Sequence, residues 1–285
     1  MRKHTKAPMS YFGGKSKHLQ YILPLIPPHK TYVEVFAGSL AVFFAKDPSP
    51  IEVVNDIDKY LVNFYRVLRH PVKAKELENK LKLTLYSRAE FEEKRELWNS
   101  DLKLDDLDEV DQAHAFYVLH EQSFGCYKKA FRYSRSHTKR GIAGAVSTWW
   151  LNVSIFPDFH YRIKNAQIEC RDFKQILEVY DTPDTFFYID PPYVLETRGS
   201  HRYDHDLETK DHVDLVNMLL NIQGKVLLSC YDDPVYYALT NKAWNKYDFE
   251  TKATAMVPNR KIGQIGIGML DDEKRVETLY YNYQI

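Results

Sequence analysis

The 285-residue chain predicts an α/β protein with a mostly parallel, doubly wound sheet, and three observations carry that expectation. Five short apolar runs each end in a small or acidic residue, as strands of an open sheet do where they hand the chain to ligand-binding loops. Helical periodicity follows or precedes several of these runs, which is the alternation that parallel strands require. The alternation stops after His70-Pro71 and resumes near Lys164, dividing the chain into a first core part (1–69), an insertion (70–164) and a second core part (165–285).

The first run, residues 32–36, leads into Ala37-Gly38-Ser39 and then into Leu40, Ala41, Phe43 and Phe44 at helical spacing. The second, 51–54, ends in Asn55-Asp56 and is followed by Tyr60, Leu61, Phe64, Tyr65 and Leu68. The insertion has two unlike halves. Residues 72–121 are charged and helical in period, with Leu77, Leu81, Leu85, Phe91 and Leu97 set among Lys and Glu. Residues 122–157 contain Lys128, Lys129, Arg132, Arg135, Lys139 and Arg140 without one acid, interleaved with Phe124, Tyr127, Phe131, Tyr133, Trp149 and Trp150. Beyond it, 167–170 runs into Arg171-Asp172, and 186–189 into Asp190-Pro191-Pro192-Tyr193. A helix carrying Val213, Leu215, Val216, Leu219 and Leu220 precedes the strand 225–228, which ends at Ser229.

Thirty-nine Lys and Arg balance thirty-nine Asp and Glu, so a globally basic field is excluded. A zero sum can still hide separated blocks. Residues 1–33 hold Arg2, Lys3, Lys6, Lys15, Lys17 and Lys30 with no acid, and the basic half of the insertion holds six more cations, which leaves twelve excess acids in the remainder. The expected molecule is polarised. No apolar run approaches the roughly 20 residues of a membrane span, and the start of the chain lacks the apolar stretch of a secretory signal, so a cytoplasmic protein is expected. Cys126, Cys170 and Cys230 lie far apart without a CxxC, which argues against a disulfide framework or a metal cluster.

The sharpest motif is the apolar strand that stops at Asp190-Pro191-Pro192-Tyr193. Prolines lack the donor N–H and cannot continue a central strand, so this loop is rigid and its carbonyls stay free as acceptors. A planar amino group suits it: the Asp190 carboxylate and the Pro191 carbonyl can accept two hydrogens while Tyr193 stacks on the ring. Alone, an Asp-Pro-Pro is equally a helix cap and turn. Glu34 through Ser39 forms a strand, a small-residue turn and a helix start, where backbone can approach a cofactor. Asp56, at the end of the next strand, stands where adenosine-binding folds place a ribose-hydroxyl acceptor, though it also reads as a helix N-cap. Asp172 and Phe173 could accept from and pack on a purine. In Tyr11-Phe12-Gly13-Gly14-Lys15, glycines admit a ligand carboxylate to the backbone and Lys15 supplies a counter-charge.

YFGGK, VEVFAGS, NDID, RDF and DPPY, in this order, resemble the D12 class (Dam-like) S-adenosylmethionine-dependent DNA adenine-N6 methyltransferases, particularly their phage and prophage relatives. The strand 225–231 and the closing strand 276–282 also fit. The resemblance implies a Rossmann-like methyltransferase fold with an antiparallel final strand and a smaller helical and hairpin target-recognition insertion. It implies transfer of a methyl group from S-adenosylmethionine, leaving S-adenosylhomocysteine, to N6 of a flipped-out adenine in double-stranded DNA, without a metal. Tyr11, Gly13, Gly14 and Lys15 would meet the methionine end of the cofactor, and Glu34, Phe36, Ala37, Gly38 and Ser39 would form its turn. Asp56 would hold the ribose, Asp172 and Phe173 would contact the cofactor's adenine, and Asp190 would border both ligands. Asp190, Pro191, Pro192 and Tyr193 would hold the target base. Phe124, Tyr127, Lys128, Lys129, Arg132, Arg135, Lys139 and Arg140 would face DNA, the cations on phosphates and the rings near the vacated stack.

The family turn usually has proline at the position of Val35 and glycine at that of Leu40, departures expected to reshape the methionine pocket. Two alternatives stay open: N4-cytosine methylation, where Ser more often stands in place of Asp190, and a catalytically silent DNA-binding relative. The glycines of residues 263–268 read as a hairpin or lid, His212 as structural, and Trp149 and Trp150 as core. No Pro-Cys pair is present for cytosine-C5 chemistry.

Overall fold

In the computed structural model, residues 7–100, 104–194, 205–252, 257–258, 267–268 and 274–285 are described. Their strands are β1 (Thr31–Glu34), β2 (Ile51–Asn55), β3 (Thr138–Lys139), β4 (Ile142–Ala143), β5 (Gln167–Glu169), β6 (Thr185–Ile189), β7 (Lys225–Tyr231), β8 (Asn245–Lys252), β9 (Val257–Pro258), β10 (Ile267–Gly268) and β11 (Lys274–Tyr281). Seven form one sheet in the order β5-β2-β1-β6-β7-β11-β8. The first five pair in parallel, and β11 runs antiparallel to both β7 and β8. Strand order reverses between β1 and β6, and in an open α/β sheet the crevice outside the carboxyl ends at such a point is where ligands bind. The expected fold class, antiparallel final strand included, is the fold observed.

Side-chain alternation divides the sheet between two cores, because successive residues of a strand point to opposite faces. Tyr32, Phe186, Tyr188 and Leu227 pack on one side; Val33, Val35, Phe187, Ile189, Val226 and Leu228 pack on the other. Strand β6 is buried along its whole length, as a central parallel strand covered on both faces should be.

The charged half of the insertion resolves, after α1 (Leu19–Ile22), α2 (Ala41–Ala45) and α3 (Lys59–Arg69), into α4 (Pro71–Leu83), α5 (Arg88–Asn99) and α6 (Glu109–Gln122), followed by α7 (Gly144–Ser154) and α8 (Phe156–Ile163). Local signals start these helices: Asp58 caps α3, His70 caps α4 with Pro71 behind it, and Asp108 caps α6. Phe116, Tyr117, Trp149 and Phe156 join the same core as Phe64 and the sheet residues Tyr32 and Tyr188. Trp149 is therefore core as expected, whereas Trp150 is 41% exposed. Arg162 of α8 forks onto both carboxylate oxygens of Glu52 at 2.6 and 2.8 Å, and Lys46 meets the same carboxylate at 2.5 Å, tying the last insertion helix to β2.

In the basic half, β3 and β4 form a two-stranded hairpin turned at Arg140 and Gly141, with φ of 53° and 78°. Two successive left-handed residues give the turn whose twist matches a hairpin. Strands β9 and β10 pair antiparallel, consistent with a hairpin in the glycine region, although residues 263–266 lie outside the described residues. His212 is buried, its Nδ1 bonded to the Tyr236 hydroxyl at 2.8 Å.

Candidate active site

A cavity of about 400 Å³ opens at the switch point. It is lined by Tyr11, Gly13, Gly14 and Lys15 from the N-terminal turn and by Glu34, Phe36, Ala37, Gly38 and Ser39 from the end of β1. Asp56 and Asp58 after β2 and Asp190 and Pro192 after β6 line it too. Thus four motifs widely separated in sequence converge on one space. His205, which the sequence reading did not single out, also lines it.

Close approach of backbone explains the glycines. A Cβ on Gly14 would lie 3.0 Å from Ser39 Oγ and 3.2 Å from the Tyr11 carbonyl, so any larger residue there would push the N-terminal turn and the β1–α2 turn apart by a few tenths of an ångström. Gly38 adopts φ of 45°, its N–H donates to Asp56 Oδ2 at 3.1 Å, and its carbonyl accepts from the Tyr65 hydroxyl at 2.5 Å. Leu40 takes the left-handed conformation (φ 54°) that glycine would adopt more easily, yet its side chain is fully buried in the core. Val35 is buried on the opposite sheet face. Neither side chain lines the cavity, so both departures from the family turn are absorbed by the core.

In Asn55-Asp56-Ile57-Asp58 the carboxylates divide their work. Both line the cavity, but Asp58 is spent as the helix cap, donated to by the N–H groups of Tyr60 and Leu61, while Asp56 accepts from the Gly38 N–H of the glycine turn. Burial pushes the Asp56 carboxyl up to about 6, against the pull of the Asp58 and Gly38 N–H groups. Asn55 donates to the carbonyls of Val35 and Arg171 and accepts from the Arg171 N–H, fixing three strand ends together. Asp172 is an exposed N-cap of α9 (Phe173–Tyr180), bonded to the Lys174 N–H at 2.8 Å. Phe173 is buried and packs on Phe36 at 5.8 Å between ring centroids. Neither Asp172 nor Phe173 lines the cavity; Phe173 reaches it only through Phe36.

Asp190 belongs to a buried polar chain. Lys15 Nζ lies 2.7 Å from Asp190 Oδ1 and donates to the Tyr193 hydroxyl at 2.6 Å, and that hydroxyl donates to Glu277 Oε2 at 2.6 Å. Lys15 is thus engaged with the Asp-Pro-Pro-Tyr loop, beyond the simple counter-charge expected of it. Burial works against its ammonium, but Asp190 and Glu277 outweigh burial and hold it above its usual value. Burial raises the Asp190 carboxyl to about 6 even though Lys15 opposes it, with Glu277 adding to the rise. One cation is shared by two carboxylates, so the lysine is over-paired while Asp190 stays under-paired. Glu34 accepts from the Tyr32 hydroxyl at 2.6 Å and the Phe43 N–H at 3.0 Å, and burial lifts it to about 8. Tyr193 is 9% exposed, its ring meeting Tyr231 edge-on at 4.3 Å, and it does not line the cavity. The expected stacking platform is turned inward because its hydroxyl has two buried charged partners.

The basic segment separates into two kinds of cation. Lys129, Arg135 and Lys139 are exposed. Arg132 donates to the Glu121 carbonyl at 2.8 Å and braces Tyr86, Arg140 binds Ser147 through its side chain and carbonyl, and Lys128 lies 4.1 Å over the Trp98 ring. Phe124 and Tyr127 are half-buried, Tyr127 packing against Phe12 at 5.3 Å. The N-terminal turn is tied to the insertion besides: the Ser10 N–H donates to the fully buried Glu121, and Tyr11 stacks on His120 at 5.6 Å. Glu277 was missed by sequence reasoning. Its only signal was an acid in the register of Leu279 on the last strand.

Counted in chain order, the sheet runs 3-2-1-4-5-7-6, and with the cavity at its switch point this defines a Rossmann-like methyltransferase. The chain belongs to the D12 class of N6 adenine-specific DNA methyltransferases, whose family model matches residues 11–255. It is similar to the type II methyltransferase M.CviBI of Paramecium bursaria Chlorella virus NC1A, 26% identical over 224 residues that cover 77% of this chain and 80% of the relative. It is also 29% identical over 206 residues to the type II methyltransferase M.MjaIII of Methanocaldococcus jannaschii, covering 65% of this chain and 68% of the relative. A match to the type II methyltransferase M.FokI of Planomicrobium okeanokoites, 23% identical, covers 84% of this chain but 36% of that longer protein.

Proposed function

We propose that this protein transfers a methyl group from S-adenosylmethionine to N6 of an adenine in double-stranded DNA, at specific sites in the cytoplasm, leaving S-adenosylhomocysteine. The observation that carries this reading is the placement of Asp190 and Pro192 on the same cavity as the glycine turn after β1 and Asp56 after β2. The donor set fits the cofactor. Asp56 offers a carboxylate for vicinal hydroxyls, Glu34 and the Gly13–Gly14 backbone suit an amino-acid end, and Phe36 forms an apolar wall. When bound, S-adenosylmethionine supplies an electrophilic methyl group on a sulfonium.

Asp190 and the Pro191 carbonyl accept the two hydrogens of the adenine amino group. Acceptors held there favour a more pyramidal nitrogen whose lone pair can attack, and they stabilise the positive charge that develops on it. Fixing the nitrogen in line contributes through orientation. The extra proton then leaves for Asp190 or solvent, and no covalent enzyme intermediate or metal is needed. The adenine has to leave the stack to reach this crevice; Phe124 and Tyr127 fill the vacated space while the exposed Lys129, Arg135 and Lys139 meet phosphates. Burial of Leu40 and Val35 away from the cavity weighs against a catalytically silent relative. Incubation of unmethylated DNA with protein and S-adenosylmethionine, followed by nucleoside mass spectrometry, should yield N6-methyladenine. Exclusive appearance of N4-methylcytosine, or no modified base with either donor or DNA in excess, would refute the reading.

A further inference from the structure

We propose that Glu277 is a positioning residue for methyl transfer, acting through the Tyr193 hydroxyl and the Lys15 ammonium to hold the Asp190 loop in place. The inference rests on the function proposed above. Glu277 is 4% exposed and lies on β11, opposite Tyr231 of β7 in antiparallel register. Those two strands therefore grip one side chain from two directions: Tyr231 meets the Tyr193 ring edge-on at 4.3 Å, and Glu277 accepts the hydrogen bond that its hydroxyl donates at 2.6 Å. Burial and the carboxylates of Asp190 and Glu277 keep the phenol protonated, so it donates to Glu277 while accepting from Lys15. Lys15 lies 4.6 Å above the same ring and 2.7 Å from Asp190. The chain Glu277–Tyr193–Lys15–Asp190 thus spans β11, the loop after β6 and the N-terminal turn.

The arrangement has an electrostatic side. A lysine paired with Asp190 alone would draw that carboxylate toward itself and make it a poorer acceptor for amine hydrogens. With Glu277 sharing the cation, Asp190 keeps basicity for the substrate. Among the described residues, the other titratable groups that face Asp190 are Glu34 on β1, Tyr188 on β6, Tyr193, Cys230 on β7 and Tyr236. His18 faces Glu277 and Lys15. Among the described residues Lys15 is the cation paired with Asp190, so the charge on Glu277 decides how it is divided.

The test compares purified wild-type, Glu277→Gln, Tyr193→Phe and the Tyr193→Phe/Glu277→Ala pair for methyl transfer to DNA across pH. Glu277→Gln keeps an acceptor for the hydroxyl and removes the charge. It should leave the KM for S-adenosylmethionine near wild type and move the acid limb of kcat to lower pH by about 0.5 to 1 unit, because a like charge beside Asp190 is gone. Tyr193→Phe keeps the ring and cuts the link, and should lower kcat by about 10-fold or more through lost orientation. Adding Glu277→Ala to it should cost less than about three-fold further, as residues acting in one chain are not additive. An acid limb unmoved in Glu277→Gln, a wild-type kcat in Tyr193→Phe, or fully additive losses would each overturn the inference. Should Glu277→Gln fail to fold by circular dichroism, Tyr193→Phe alone still decides it. Absence of methyl transfer by the wild-type protein would instead strike the function proposed above.

Discussion

Asp190 meets the cavity with a carboxyl that burial has lifted to about 6, and the acceptor role proposed for it requires the ionised form. Methyl transfer should therefore fall as pH drops through about 6, measured as initial rate at saturating cofactor. Asp190→Ala should abolish transfer while cofactor binding by calorimetry stays within a few-fold, since Asp56 and the glycine turn remain. Glu34 behaves differently. Its folded carboxyl sits at about 8 against an ordinary 4.5, so the native state prefers it protonated. The stability it confers is complete below about 4.5 and is lost as pH rises through about 8, with a slope of at most about 1.4 kcal/mol per pH unit. Glu34→Gln keeps an acceptor for Tyr32 and Phe43, and its melting temperature should exceed wild type by a margin that grows from pH 5 to pH 9. Leu40 shows how magnitude settles a conflict at one residue. A left-handed leucine costs about 1 kcal/mol, whereas burying it fully returns about 1.5–3 kcal/mol, so the core tolerates what the turn alone would reject.

At the scale of elements, the basic segment was legible by composition but not by role. A count of six cations between residues 122 and 157 treats them alike, yet Arg132 reaches back to the Glu121 carbonyl and Tyr86 while Lys129, Arg135 and Lys139 face outward. Replacing those three by Ala should weaken DNA binding and reduce the slope of log K against log salt by about 0.9 for each phosphate that is no longer neutralised, with an unchanged melting temperature. Arg132→Ala should do the reverse, costing about 1–3 kcal/mol of stability by leaving buried acceptors unpaired and leaving the salt slope intact. The same limit applied to Asp172 and Tyr193. Each lies in a motif that resembles a family signature, but one is spent on a helix cap and the other on two buried charges. A partner supplied from another strand is invisible in a motif.

For the whole molecule, the insertion and the sheet share one core and one buried ion cluster. Glu52 on β2 pairs with both Lys46 and the Arg162 guanidinium of α8, so Glu52→Ala would leave two cations without their carboxylate. Loss of a buried partner typically costs about 3–5 kcal/mol. The urea midpoint should drop accordingly, in a single transition with unchanged m-value, because insertion and sheet unfold together. Polarity survives at this scale in reduced form. Lys15 is buried in the site and Lys30 is paired with Asp184 at 2.7 Å, so the outward basic surface is smaller than the sequence count.

The fold class, the strand ends that bear chemistry and the family were determined by sequence alone, because hydrophobic period and local turn chemistry act over a few residues and leave their pattern in the chain. Which acceptor the Gly38 N–H finds, which cation is spent on structure and the existence of the Glu277–Tyr193–Lys15–Asp190 chain were decided by tertiary structure. Those interactions join residues as far apart as Lys15 and Glu277, and only the strand order that lays β11 beside β7 brings them within hydrogen-bonding distance of the Asp190 loop.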